Sequence, residues 1–203
     1  MYLARMTNRI ICIDPGNISS GVVVLDDTKI IKASNEMNVN LFNMIGNYCV
    51  HKRCTVVMED IRPYNMRITQ QLIDTCKFIG EAVFRLREQA GLHTVLIPRY
   101  EVKKWVYDSF YDVIQLRLSK KLSKGLFPAC SIATREAIEV NSQGRKKLKG
   151  SFIYVDDVMV KDAMRSLYDI SIPAPGKGYD FGLQDHSWQS LACARYFMTK
   201  DSD

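Results

Sequence analysis

Apolar and polar residues fall in short bursts over the first third of the chain, and then the period of the pattern changes. Residues 9–14, 20–25 and 28–33 are brief runs rich in Ile and Val, divided by turn residues, and predict three strands in an antiparallel meander. Residues 38–50 predict a helix with Val39, Leu41, Phe42, Met44 and Ile45 on its apolar side, and Thr55 to Met58 predict a strand that ends in Glu59. From Arg67 to Gly91, Ile68, Leu72, Ile73, Cys76, Ile79, Ala82, Val83 and Leu86 recur at steps of three and four, the mark of a long amphipathic helix stopped by Gly91. A strand at HTVLIP and a helix opening near EVKKWVYDSF follow. Residues 115–150 have weak periodicity. Beyond them come an extended SFIYVDD, a helix through VMVKDAMRSLYD, a Pro/Gly loop and a last helix within LQDHSWQSLACARYFM, whose Ser190, Ala192 and Ala194 suit close packing on a sheet. The order predicts an α/β fold, a mixed β-sheet flanked by α-helices. It fits a single domain over 1–203 with 115–150 as an insertion on the sheet's rim.

Composition narrows the class. The 203 residues, 47% hydrophobic and 25% charged, suffice for a full core, and no apolar window is long enough for a membrane span. MYLARMTNR lacks the apolar centre of a signal peptide, so an intracellular, cytoplasmic protein is expected. Six cysteines without CxxC spacing and three histidines give no zinc cluster; buried free thiols are expected. The net charge of +6 is concentrated: Gln115 to Gly150 holds nine Lys or Arg against two Glu, which leaves about −1 for the rest. Such a block suits a polyanion, because each cation near a phosphate releases counterions. A solvated surface loop accounts for the charge equally well.

Three elements end or begin in groups that can bind a hard cation. Asp14 closes the run Ile10 to Ile13 just before Pro15-Gly16, Glu59 closes the fourth strand, and Asp185-His186 precedes the last helix. In a mixed sheet the ends of strand 1 and a parallel neighbour can be adjacent, and a helix laid across them brings its first turn to the same edge. Carboxylates gathered there repel unless a divalent cation joins them, and oxygen ligands favour Mg²⁺ or Mn²⁺. Two such ions form the clamp used in phosphodiester hydrolysis. Singly, each residue has an ordinary role as well: Asp14 in a turn, Glu59 at a solvated strand end, Asp185 as a helix cap, Trp105 and Trp188 in the core, the lysines on the surface.

In combination these stretches resemble the RuvC-type Holliday junction resolvases of the RNase H-like superfamily, and phage-encoded members most of all. IDPGNISSGVVVL is similar to their first-strand motif, VVMEDIRPY to the strand ending in the catalytic glutamate, and DHSWQSLACA to the C-terminal motif at a helix start. RYEVKKW and VKDAM sit where related proteins place DNA-contacting or catalytic lysines. The resemblance implies a metal-dependent endonuclease that resolves four-way junctions or other branched DNA by symmetric phosphodiester hydrolysis, with two Mg²⁺ or Mn²⁺ per site, a homodimer and no nucleotide cofactor. It assigns metal and catalytic roles to Asp14, Glu59, Asp185 and His186, and a catalytic role to Lys161. DNA contact falls to Lys103, Lys104, Lys120, Lys121, Lys124, Arg145, Lys146, Lys147 and Lys149, and the helix 67–91 is the candidate dimer interface. One departure stands out. Members usually carry an acidic pair three residues apart before a small-Leu pair, and the register set by Ser190-Leu191 puts His186 and Gln189 there. Asp185, Asp156 and Asp157 are the candidates to supply the missing carboxylate. The alternatives are an RNase H-fold nuclease acting on flaps or hybrids and a non-catalytic junction-binding protein. An actin-like ATPase would need a second glycine loop, which is not evident.

Overall fold

Side-chain parity along the strands builds two cores. In the computed structural model, which describes residues 9–50, 53–61, 68–114, 116–117, 138–140, 146–148, 155–168 and 183–200, five strands form one sheet. They are β1 (Arg9–Asp14), β2 (Ser19–Asp26), β3 (Lys29–Met37), β4 (Cys54–Asp60) and β5 (His93–Pro98), in the order β3-β2-β1-β4-β5. The β1–β2 and β2–β3 pairs are antiparallel; β1–β4 and β4–β5 are parallel. The predicted meander and mixed sheet are therefore present, with β3 running on to Met37.

Ile11, Ile13, Val22, Val24, Val56 and Met58 point to one face, where α1 (Asn38–Cys49) and α2 (Gln70–Phe84) cover them. Ile10, Cys12, Val23, Leu25, Val57 and Ile97 point to the other. That face is covered by α3 (Arg99–Ser109), α4 (Asp157–Leu167) and α5 (Ser187–Lys200). Helix α5 is buried almost all round, as a helix lying between a sheet and two other helices must be. Trp188, Leu191, Ala192, Cys193, Ala194 and Phe197 all lie within it, so Trp188 is a core residue. Asp14 and Glu59 share the parity of Cys12 and Val57. Their side chains thus emerge on the α5 face, at the carboxyl ends of two adjacent parallel strands.

Several boundaries differ from the sequence reading. The helix expected over 67–91 starts at Gln70, where Thr69 Oγ1 accepts the Leu72 N–H. It loosens into a π-helical turn over Arg85–Gln89, and Gly91 ends it with φ +62°. Val155 and Asp156 are not in a strand; Asp156 caps α4 by accepting the Met159 N–H at 2.8 Å. The last helix opens at Ser187, because the Ser187 hydroxyl accepts the Gln184 N–H and closes the turn ahead of it. Within the basic segment, β6 (Ile138–Val140) and β7 (Lys146–Leu148) pair antiparallel. Lys120, Lys121, Lys124, Arg145 and Lys149 lie outside the described residues, as do the side chains of Lys146 and Lys147.

The five described cysteines are free: Cys12, Cys54 and Cys193 are buried as expected, whereas Cys49 is half-buried and Cys76 is exposed. Cys130 lies outside the described residues. Among the described residues no helix is long and apolar enough to cross a membrane.

Candidate active site

The site lies where β1 and β4 end beneath the first turn of α5. Three hydrogen bonds and one glycine fix that meeting. The Asp14 N–H donates to Ser190 Oγ at 3.0 Å, and the Ser190 hydroxyl donates to the His186 carbonyl at 3.3 Å, tying the strand end to the helix start. The Asp-Pro-Gly loop is held from the other side, where Asn38 Nδ2 donates to the Gly16 carbonyl at 2.9 Å. Gly21, paired with Asp14 across β1–β2, lets the His186 backbone approach: a Cβ there would lie 2.3 Å from its carbonyl carbon and 2.7 Å from its Cβ.

That approach sets His186 Nδ1 2.9 Å from Asp14 Oδ2. The hydrogen bond to Asp14 raises the imidazole pKa above its ordinary value, with burial pulling the other way. Asp14 and Glu59 are almost wholly shielded from solvent, at 1% and 0% exposure. Asp14 Oδ1 and both Glu59 oxygens have no hydrogen-bond partner. Burial pushes the Glu59 carboxyl well above its usual range; Arg99 opposes the shift and Asp14 adds to it.

Two cations enter from α3. Arg99 lies two positions beyond Ile97 on the same face, with Nε 3.5 Å from Glu59 Oε2 and Nη2 3.4 Å from Asp157 Oδ1. Lys103, one helical turn on, places Nζ 3.4 Å from the same Asp157 oxygen. Burial and the neighbouring Arg99 lower its pKa, against the pull of Asp157 and Glu59. From α5, Gln189 Nε2 donates to Asp157 Oδ1 at 2.9 Å, while its own buried Oε1 has no partner.

The structure thus brings together Asp14, Glu59 and His186 of the expected set, and it turns Lys103 inward to the carboxylates. Asp185 sits apart. It is exposed, in the left-handed region at φ +39°, and its carboxylate has no hydrogen bond or ion pair among the described residues. The Lys161 ammonium stands over the Trp188 ring, 5.4 Å from its centre. Lys104 is on the outer side of α3, paired with Asp108. Arg99 and Asn38 have no role in the sequence reading, and Gly21 has only its place in the IDPGNISSGVVVL motif. For Arg99 the available signal was the period-two step from Ile97.

Among the described residues, no three of His, Cys, Asp and Glu stand close enough to form a ready-made metal shell. The donor chemistry nevertheless fits a hard divalent cation. Orphaned carboxylate oxygens in a dry site are costly until a cation meets them, and of the neighbouring cations only Arg99 approaches one of them, Glu59 Oε2 at 3.5 Å. Asp14, Glu59 and His186 are the side chains that would hold it.

No protein-family model matches the chain, and no curated protein matches its sequence. Solved structures do. A structure of RuvC from Thermus thermophilus is 11% identical over 95% of this chain and 96% of its own, with a TM-score of 0.51. RuvC from the same organism in complex with Holliday junction substrate is 11% identical over 95% of both chains, with a TM-score of 0.47. A yeast mitochondrial Holliday junction resolvase is 13% identical over 97% of this chain and 87% of its own, with a TM-score of 0.35. The chain has the RNase H-like fold of Thermus thermophilus RuvC, a mixed five-strand sheet between two helical layers.

Proposed function

We propose that this protein is a metal-dependent endonuclease that resolves four-way DNA junctions by symmetric cleavage and works inside the cell as a homodimer. The observation that carries the reading is a pair of fully buried carboxylates, Asp14 and Glu59, with orphaned oxygens at adjacent strand ends beside a histidine. The motif resemblance and the RuvC fold add their weight to it.

Asp14, Glu59 and His186 would hold Mg²⁺ or Mn²⁺, two ions per site, which when bound neutralise charge developing on phosphate oxygens and make water a better nucleophile. The chain's own groups complete the chemistry. Donation of the Nδ1 proton to Asp14 fixes the His186 tautomer and leaves Nε2, with its single lone pair, as the ring's ligating atom, on a side chain that is 54% exposed. Arg99 and Lys103 draw a phosphate toward the carboxylates and offset the charge of the reacting group. The basic segment 115–150 grips duplex arms mainly through phosphates, so junction shape counts for more than base sequence.

Helix α2 supports the dimer. Ile73, Cys76, Gly80 and Phe84 form a stripe opposite the buried Thr75, Phe78, Ile79 and Ala82, and Ile73 and Phe84 are exposed. A junction has approximate two-fold symmetry, and a C2 dimer presents two sites to match it.

The test is single-turnover cleavage of a synthetic four-way junction and a matched linear duplex in Mg²⁺ or Mn²⁺, with the unaltered protein and Asp14→Asn. Paired nicks confined to the junction and lost in the variant are expected. No cleavage with either ion, together with tight junction binding, would overturn the nuclease reading and leave a binding protein, the alternative that Gln189 favours.

A further inference from the structure

The register of α5 leaves the site one carboxylate short, and the structure shows where another is brought in. Gln189 lies one helical turn after His186, on the same side of α5, and is 2% exposed. A buried amide at that position adds no charge, and its Oε1 is orphaned. Its Nε2, however, is bonded at 2.9 Å to Asp157 Oδ1, on the first residue of α4. Lys103 and Arg99 Nη2 each approach that same oxygen at 3.4 Å, and Arg99 Nε reaches Glu59 at 3.5 Å. Arg99 therefore spans Glu59 and Asp157 and holds both carboxylates about a single cation. All three donors use Oδ1; among the described residues Oδ2 of Asp157 has no partner.

We infer that Asp157 supplies the fourth ligating group of this site from the start of α4, in the place a carboxylate on α5 would take, and that Gln189 is the positioning residue that holds it there. The inference rests on the metal-dependent reading of the site. Two features of the local chain favour it. A carboxylate at the first position of a helix is stabilised by the helix dipole, so Asp157 is pre-placed without a burial cost. Its neighbour Asp156 serves as the cap, which leaves the Asp157 side chain out of the backbone hydrogen-bonding at the helix end. Arg99 pairs with Glu59 and Asp157, and Lys103 with Asp157; a divalent ion would compete with them for these oxygens.

The experiment is Mn²⁺ binding to the metal-free full chain, read by calorimetry and by the loss of the free-ion electron paramagnetic resonance signal, with thermal unfolding of each metal-free variant alongside. The variants are Asp14→Asn, Asp157→Asn and the double variant Asp157→Asn, Gln189→Asp. Binding by the unaltered protein that is lost in Asp14→Asn supports the parent reading. No binding by the unaltered protein would overturn that reading and this inference together. With the parent reading intact, Asp157→Asn is expected to weaken Mn²⁺ at least about tenfold, the lower end of the loss seen when even an outer-shell partner is removed. The double variant should then regain most of that affinity. Unchanged affinity in Asp157→Asn would overturn the inference. So would a loss that Gln189→Asp does not restore in a normally folded double variant, because Asp157 would then act only as a counter-ion for Arg99 and Lys103.

Discussion

Replacing Gly21 with Ala tests whether the approach of α5 to β1 assembles the site. The added methyl would meet the His186 carbonyl carbon at 2.3 Å, its oxygen at 2.5 Å and its Cβ at 2.7 Å, where ordinary contact begins at 3.4 Å. Relief needs a backbone displacement of about 1 Å, and the atoms that must move belong to the turn carrying His186. A displacement of that size strains both the 2.9 Å contact between His186 and Asp14 and the Ser190 bridge to the Asp14 N–H. Overpacking of this kind costs about 1–3 kcal/mol. In a domain of this size each kcal/mol lowers Tm by about 2–4 °C. Activity should suffer more, because a misplacement of about 1 Å can cost about 10²-fold in rate. The assay is single-turnover junction cleavage in Mn²⁺ beside thermal unfolding, with Gly46→Ala as the control. Gly46 lies inside α1, and a methyl added there meets only open space, so that variant should gain up to about 1 kcal/mol and keep its rate. A Gly21→Ala protein with unaltered Tm and a cleavage rate within about twofold of the unaltered protein would refute the reasoning, since ~1 Å of displacement cannot be absorbed for nothing.

Other outcomes follow from the same geometry. Glu59→Gln, melted beside the unaltered protein with both metal-free, separates the cost of the buried charge from the gain of its ion pair with Arg99 through the pH profile. The sign of the pH effect comes from burial raising the Glu59 pKa: its contribution is full at acid pH, below the unfolded-state value, and is lost as pH rises through the raised one. Thermal melts from pH 4 to 8 (about the range spanning ordinary and raised carboxyl values) should show this decline in the unaltered protein and a flatter profile in Glu59→Gln. Asp14→Asn should abolish cleavage, by at least about 10²-fold, and should lower the His186 pKa in metal-free NMR titrations, because the bond to Asp14 is what raises it. Phe84→Glu on the outer stripe of α2 should shift sedimentation from dimer to monomer while far-UV circular dichroism stays that of the unaltered protein, since that side chain is 57% exposed in the single chain.

The fold was legible where burial imposes a period. The unbroken apolar runs of β1, β2 and β4 follow from a sheet covered on both faces, and the three-and-four spacing of α2 from a helix with one face on it. Boundaries were less so, because they depend on single hydrogen bonds. The start of α5 at Ser187 rests on its hydroxyl bonding Gln184, and the start of α4 on Asp156 rather than on strand propensity in SFIYVDD. The end of α2 rests on a π-helical turn that no periodicity of three or four announces.

The site divides along the same line. Asp14 and Glu59 could be found from sequence because each terminates an apolar strand, and parity then forces both onto one face of two parallel neighbours. His186 needed the motif as well, since its position depends on a turn, and the same turn swings Asp185 out to solvent. Arg99, Asp157 and Gln189 lie on three different helices, separated by 32 to 90 positions in the chain, and meet only because α3, α4 and α5 pack on one face. No local pattern encodes such a meeting. What the sequence did carry was an imbalance: a motif whose last carboxylate is an amide. A buried amide must bond to something, and a site that gathers cations such as Arg99 and Lys103 must find anions for them. Those two requirements converge on one exposed carboxylate at a helix start, so the departure from the motif and the cations around Asp157 are two sides of one charge balance.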